Sequence, residues 1–328
     1  MDITQRIDHI TKISDERLKS GVQACPESVK IEVTARCNLR CKFCAVRTRD
    51  KASVRDMDLD LFKGITQDMV NCGVKEIGLF YLGESFTSPT LLVECIKWCK
   101  SIGVEYTFLT SNATCASPLF VKECMAAGLD SLKWSTNFAD FEQFHDITGG
   151  TEDQYNSAIR NIGQAFVIRN SNKYKTMLSA SSILYEGEQQ ERMKKFLEAH
   201  VLPFVDKHYW LPLYQMSMYS DKIKKEMGYT PTAGNSGRID DSTMEPTRKP
   251  LPCWTAFTEG HVRVDGGLSA CCFGADSRFD MGTLDGKNFM DCWNSNKFVA
   301  LRRAQLRTIT EGQKALKGTP CQVCAPYK

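Results

Sequence analysis

Val29-Lys30-Ile31-Glu32-Val33-Thr34, followed two residues later by Cys37-Asn38-Leu39-Arg40-Cys41-Lys42-Phe43-Cys44, is the stretch from which the fold is read. The largely apolar run 29–34 reads as a first strand, and three cysteines spaced C-x3-C-x2-C occupy the loop behind it. Three thiolates can hold three irons of a cubane [4Fe–4S] cluster. An electron-transfer cluster takes four, and this segment offers no local fourth. The remaining iron is then open to a small molecule, by the logic that separates open catalytic metal sites from closed structural ones. Zinc competes as a reading, yet its sites draw four ligands from pairs at separated places. Three cysteines within eight residues, with no His nearby, fit that pattern poorly.

Outward from this loop, strand-like and helix-like runs alternate from about residue 29 to 216. Helical apolar spacing over Leu59–Cys72 ends at Gly73, a C′ position. Glu76–Leu82 is short and apolar, as a buried parallel strand requires. Pro89 opens a helix to about Ser101, Val104–Leu109 is a strand, and Ser117-Pro118 caps the next helix. Leu129–Ser135 is a fourth strand, and Thr151-Glu152-Asp153-Gln154 has the form of a capping box. Thr176–Leu184 and His208–Leu213 complete six strands, with a helix near Glu188–His200 between them. This alternation predicts an α/β fold, an incomplete (β/α)6 barrel with its chemistry at the C-terminal strand ends. The cysteine loop lies at such an end.

The polar, Gly- and Pro-bearing residues 217–250 read as a linker or loop. Beyond it, His261–Val264 and Leu268–Cys272 flank Asp265-Gly266-Gly267, a hairpin signal. One helix is expected over Phe289–Ile309, and one near Asp15–Lys19 in the 28 residues before Val29. The division expected is an extension (1–28), the barrel (29–216), the linker (217–250) and a small C-terminal α+β domain (251–328).

Composition narrows the function classes. The 328 residues are 42% hydrophobic and 25% charged, as in globular proteins. A formal charge of +3 gives no reason to expect nucleic acid or an anionic membrane as partner. No apolar run approaches a membrane span, and the N-terminus lacks the h-region of a signal peptide. Fifteen cysteines without a secretion signal point to a reducing, cytoplasmic setting in which metal binding outranks disulfides.

The C-x3-C-x2-C loop resembles the signature of the radical S-adenosylmethionine (SAM) superfamily, in which SAM chelates the open iron. Phe43 matches the aromatic that the family sets against the adenine. Tyr81-Leu82-Gly83-Glu84, after the second strand, resembles the family's GE motif at the SAM amino group. Gly83 allows close backbone approach, and Glu84 or exposed carbonyls accept from an ammonium group. By the same resemblance Asn112, Ser135 and Ser181, on strands three, four and five, stand where the family contacts SAM. Each is also an ordinary strand-end or turn residue.

A second set of cysteines follows. Cys253 and Cys271 bracket residues 254–270, and Cys321-Gln322-Val323-Cys324 comes near the end of the sequence. Asp265-Gly266-Gly267-Leu268-Ser269-Ala270-Cys271 resembles the D-G-x4-C hairpin of SPASM and twitch extensions, which hold auxiliary clusters. With no further cysteine beyond Cys324, the resemblance is to the shorter twitch form, one [4Fe–4S] cluster held by Cys253, Cys271, Cys321 and Cys324. A four-cysteine zinc ribbon is the alternative. Cys272 competes with Cys271, and strand alternation lets only one of them serve. Cys25, Cys72, Cys95, Cys99, Cys115, Cys124 and Cys292 read as structural, and Arg302, Arg303 and Arg307 as a solvated basic face.

What the resemblance implies is an enzyme that cleaves SAM to a 5′-deoxyadenosyl radical and takes a hydrogen atom from an unactivated C–H bond. The expected reaction is oxidation of a polar small molecule, sugar-like or aminocyclitol-like, with the auxiliary cluster accepting an electron. A reducing partner such as flavodoxin or ferredoxin is implied with it. Glu186, Glu188, His208 and Arg263 are candidates for taking the released proton. The alternatives are a peptide-modifying maturase (crosslinking or epimerisation), a redox-neutral decarboxylase or epimerase, and an electron carrier without catalysis.

Overall fold

Six parallel strands and their crossover helices account for the chain between Ser28 and Leu211 in a computed structural model that describes residues 2–44, 54–212, 235–272 and 277–323. The strands are β1 (Ser28–Ile31), β2 (Glu76–Gly78), β3 (Tyr106–Ser111), β4 (Ser131–Ser135), β5 (Met177–Ile183) and β6 (Lys207–Leu211). Each pairs in parallel with the next. Helix α2 (Leu59–Cys72) is capped by Asp58, whose carboxylate accepts from the Leu61 amide, and stops at Gly73 in the left-handed region, φ 107°. Proline at the first position opens both α3 (Pro89–Ser101) and α4 (Pro118–Ala126). After α5 (Phe141–Thr148) comes α6 (Glu152–Asn172), which begins at a capping box of Thr151 and Gln154. Then α7 (Gly187–His200) leads into β6.

The sheet does not stop at β1. Beyond it β7 (Glu259–Val262) pairs in parallel, with Ser28 opposite Glu259 and Lys30 opposite His261. β8 (Gly267–Ser269) and β9 (Asp280–Thr283) follow in antiparallel pairing. The order is β6-β5-β4-β3-β2-β1-β7-β8-β9, an open sheet of nine strands. The hairpin expected around Asp265-Gly266-Gly267 forms, with Gly266 at φ 82°, and it extends the barrel sheet instead of building one of its own.

Three expectations change. The N-terminal helix is α1 (Ile3–Ile10); only a 3-10 turn forms over Arg17–Lys19. Asp2 and Gln5 make a reciprocal capping box there, and Ile3, Arg6 and Ile10 are buried. The single helix expected over Phe289–Ile309 is two, with α8 (Thr255–Thr258) before them: α9 (Phe289–Trp293) and α10 (Asn296–Glu311). The break is at Ser295, whose extended ψ of 152° and whose hydroxyl, accepting from the Phe298 amide, start a new helix. Trp293 then packs edge-on against Phe298, centroids 4.9 Å apart.

Arg302 is the third correction: it is fully buried, not solvated. Its guanidinium donates to the carbonyls of Ala256 (2.6 Å), Trp293 (2.7 Å) and Gly21 (3.3 Å) and lies 3.8 Å from the Phe298 ring centroid. Carbonyls from three segments converge on one position, and only a long donor-only side chain satisfies them.

Of the segment expected as linker, residues 217–234 lie outside the described residues. Within 235–250, the Ile239 amide donates to the Trp210 carbonyl at the outer edge of β6, and Arg238 pairs with Asp8 beside α1 at 2.9 Å. Among the described residues, no helix is long and apolar enough to cross a membrane.

Candidate active site

A cavity of about 350 Å³ occupies the barrel interior. The pleat decides what faces it: on β4, Ser131, Lys133 and Ser135 line the cavity, while Leu132 and Trp134 are wholly buried between. The three cysteines of the loop, with Phe43, line its upper side. The loop is pinned by its own backbone, since the Arg40 and Lys42 amides donate to Thr148 and Ile147 of α5, each at 2.8 Å. Asn38 ties it to the end of β3, donating to Thr114 Oγ1 at 2.7 Å and accepting from Asn112 Nδ2 at 3.1 Å.

Gly83 and Glu84 also line the cavity, and both are engaged with protein. A Cβ on Gly83 would stand 2.0 Å from the Thr34 carbonyl oxygen, so only glycine lets this loop lie against the chain entering the cysteine loop. The Glu84 amide donates to the Arg36 carbonyl at 2.8 Å. Its carboxylate accepts from the Asn112 amide (2.7 Å), the Ser111 hydroxyl (3.0 Å) and the Phe86 amide (3.2 Å). Burial raises the Glu84 carboxyl above its ordinary range, against the pull of those donors. This carboxylate fastens β3 to the loop after β2.

Asn112, Ser135 and Ser181 line the same cavity, with the Ser135 hydroxyl accepting from Asn137 Nδ2 at 3.1 Å. The four proton-acceptor candidates do not line it. Glu186 and Glu188 are exposed at the start of α7. Arg263 pairs with Asp280 and Asp265 on the hairpin. His208 stands on the opposite face of β6 from the lining residues Tyr209 and Leu211; it meets Ser182 Oγ at 3.1 Å, and burial pushes its pKa down to about 4.

In the C-terminal part, Cys253 is buried, and burial with the charge of Cys253 pushes the Cys321 thiol up to about 12. Gln305 lies beside Cys253, accepting from its amide at 3.0 Å. Cys324 lies outside the described residues. Of the vicinal pair, Cys272 lines the barrel cavity and accepts from Asn235 Nδ2 at 3.1 Å; Cys271 does not line it. Among the described residues, no three His, Cys, Asp or Glu converge on a single-ion position. Cys95, Cys99 and Cys124 are buried in the core.

Several charged residues of the cavity were not singled out from sequence. Lys30 pairs with Glu259 at 2.7 Å across β1 and β7; Lys30 and His261 hold the Glu259 carboxyl well below the usual range despite burial. Lys133 donates to Tyr209 Oη at 3.1 Å. The available signal was a charged residue inside an otherwise apolar strand, Lys30 within VKIEVT and Lys133 within SLKWS.

Comparison with known families bears on this geometry. The Radical SAM superfamily matches residues 31–202, more than half of the chain. The chain belongs to the radical SAM superfamily. SPASM, an iron-sulfur cluster-binding domain, matches residues 253–325 of this radical SAM enzyme. A probable GTP 3′,8-cyclase of Metallosphaera sedula is 27% identical over 166 residues, 47% of this chain and 51% of the cyclase. The chain thus spans about half the length of that relative. Among known structures, BtrN in complex with AdoMet and 2-DOIA aligns over 92% of this chain and 94% of its own, at 13% identity and TM-score 0.57. Streptococcus suis SuiB bound to precursor peptide SuiA aligns over 93% of this chain and 71% of its own, at 13% identity and TM-score 0.61. At such identity these two show the fold.

The radical SAM family brings a [4Fe–4S] cluster and SAM, and the SPASM match brings auxiliary cluster binding. The donor set fits: Cys37, Cys41 and Cys44 share one cavity with Phe43, Asn112 and Ser135. Thiolates that each take a different iron of a cubane have no reason to meet at a single-ion position.

Proposed function

We propose that this radical SAM enzyme is an oxidoreductase acting on a polar small molecule, sugar-like or aminocyclitol-like. SAM held at the first cluster would supply the radical that removes a substrate hydrogen atom, and the auxiliary cluster would accept the second electron, the accompanying proton passing to solvent. Cys37, Cys41 and Cys44 hold the first cluster, and Cys253, Cys271, Cys321 and Cys324 the second. Phe43 packs on the adenine, and Asn112, Ser135 and Ser181 orient SAM through their polar groups. Gly83 and Glu84 act on SAM indirectly, by setting the level of the cysteine loop. Phe80 and Phe108 give the cavity apolar walls. Flavodoxin or ferredoxin is the reducing partner.

The observation that carries this reading is that the cavity lined by the first cysteine set also reaches residues next in sequence to the second. Cys37, Cys41 and Cys44 line it, and so do Cys272 and Trp254, the sequence neighbours of Cys271 and Cys253. Its volume of about 350 Å³ falls within the range of small-molecule sites. Peptide modification is the second reading, favoured by the likeness in fold to SuiB with its precursor peptide.

Anaerobic reconstitution tests the assignment. About eight irons per chain are expected for two cubanes, and reduction with SAM should release 5′-deoxyadenosine. Polar metabolite fractions should yield a product lighter by two hydrogens. Four irons with one zinc would remove the auxiliary cluster, and turnover of peptides alone would replace the small-molecule reading.

A further inference from the structure

At and below the level of Ser135 and Ser181, the barrel interior carries a group of hydrogen-bond donors with no anion to receive them. Lys133 lines the cavity from β4 and Tyr209 from β6, and the lysine donates to the tyrosine hydroxyl oxygen at 3.1 Å. Lysine has three N–H donors and no acceptor. With its oxygen already accepting from Lys133, the buried Tyr209 hydroxyl has its own proton to give. No described carboxylate pairs with Lys133, and no described group receives the Tyr209 proton. Directly across the β4–β5 register from Lys133 is Ser179, whose hydroxyl is fully buried and without a partner. The other cations of the cavity are each paired with a carboxylate, Lys30 with Glu259 and Arg6 with Glu76. A cation in a partly enclosed cavity is costly unless paired, so the missing acceptor belongs to a ligand.

We propose that Lys133 and Tyr209 seat a carboxylate carried by the substrate, which makes that substrate an acid, for example a sugar acid; this rests on the small-molecule oxidoreductase reading above. Depth separates Lys133 from the SAM contacts, while Tyr209 pairs with Ser181 and reaches the lysine from the level above. Ser135 and Ser181 are one pleat nearer the C-terminal strand ends than Lys133 and Ser179, a step of about 6.6 Å at the usual strand rise. Charge separates a carboxylate from a phosphate: a phosphate monoester carries about two negative charges near neutral pH, and one lysine balances one. Oriented by this seat, the rest of the molecule extends upward toward Ser135, Asn112 and the cysteine loop.

The test is ligand binding to the SAM-loaded holoenzyme, read calorimetrically and by the shift in Tm, with gluconate and glucuronate, their neutral amides, and inorganic phosphate as probes. Both acids are expected to bind in the millimolar range, and the amides roughly tenfold or more weaker, the share of a charged hydrogen bond. Lys133→Met keeps the aliphatic stem and Tyr209→Phe removes only the hydroxyl, so the fold is retained in both. Each should cost the acids roughly tenfold and erase the preference of acid over amide, while affinity for SAM stays within a factor of two. Equal binding of acid and amide to the wild type, or no binding of either acid, overturns the proposal. So does phosphate displacing the acids at lower concentration, or a large loss of SAM affinity in Lys133→Met, which would give the lysine to SAM itself. Failure of the oxidoreductase reading shows separately, as SAM cleavage without a two-electron product, with the preference for acid over amide intact.

Discussion

Replacing Glu84 with Gln separates two roles for this residue, contact with SAM and attachment of the cysteine loop to the barrel. In the structure its two carboxylate oxygens serve three donors, the Asn112 amide at 2.7 Å, the Ser111 hydroxyl at 3.0 Å and the Phe86 amide at 3.2 Å. A glutamine is isosteric but carries one acceptor and two donors at its tip. Either way round, its NH2 faces a backbone N–H, one hydrogen bond to a charged acceptor is lost and one buried N–H is orphaned. These cost about 1.5–3 and 1–3 kcal/mol respectively. Against this, the neutral side chain avoids the burial cost that raises the Glu84 carboxyl. A net loss of about 3 kcal/mol is expected, within the 5–15 kcal/mol that keeps a domain folded.

The assay is urea unfolding of cluster-free protein followed by far-UV circular dichroism, where that loss lowers the midpoint by about 1 M at unchanged slope. A pH series adds a sign. With the folded-state pKa above the ordinary 4.5, the folded protein takes up the proton first as pH falls. Wild-type stability therefore declines as pH rises from 4.5 through the folded-state value, and the variant lacks that decline. If the variant unfolds at the wild-type midpoint but binds SAM weakly after reconstitution, the carboxylate is a SAM ligand and the attachment argument is refuted.

Three other outcomes follow from the same geometry. His208 has its folded-state pKa depressed to about 4, so the unfolded chain binds a proton first below the ordinary value. Up to about 3 kcal/mol is lost as pH falls from 6.5 toward 4, and His208→Gln should flatten that acid limb in thermal melts; an unchanged limb removes His208 from it. Arg302→Leu strands the carbonyls of Ala256, Trp293 and Gly21 and should lower unfolding stability by about 3 kcal/mol or more, whereas a solvated arginine would cost almost nothing. Cys271→Ala should lower iron per chain by about four, one cubane, and Cys272→Ala should leave it unchanged; the reverse result would exchange the ligand.

Local order was legible where short-range chemistry decides it. Asp58, Gly73, Pro89, Pro118 and the Thr151–Gln154 box mark helix ends through contacts within a few residues, and the helices begin and stop there. The break at Ser295 was hidden because apolar spacing runs on through Trp293 and Phe298, which pack together across it. Arg302 read as solvated because nothing near it in sequence shows that carbonyls of residues 21, 256 and 293 meet there. The Gly83-Glu84 pair reads from sequence as a SAM contact, while its partners within the protein, Thr34, Arg36 and Asn112, belong to other strand ends and are not visible from it. Lys30 and Glu259 are 229 residues apart and meet because β7 pairs with β1.

That pairing has a consequence for the chemistry. Cys37, Cys41 and Cys44 hang from the chain leaving β1, while Cys253 precedes β7 and Cys271 follows β8. Because β1 and β7 share a backbone ladder from Ser28 to Ile31 and a Lys30–Glu259 pair, the cysteine loop and the segments carrying Cys253 and Cys271 are held by one piece of sheet rather than by the segment between them. Backbone ladders do not stretch on the scale of a substrate, so the span between the sets is a property of the fold. On the proposed oxidoreductase reading, the substrate must fit the cavity as built, and selection among substrates falls to the side chains lining it. Among those side chains, Lys133 and Tyr209 present donors that no described carboxylate receives, and there a charged substrate would be told from a neutral one.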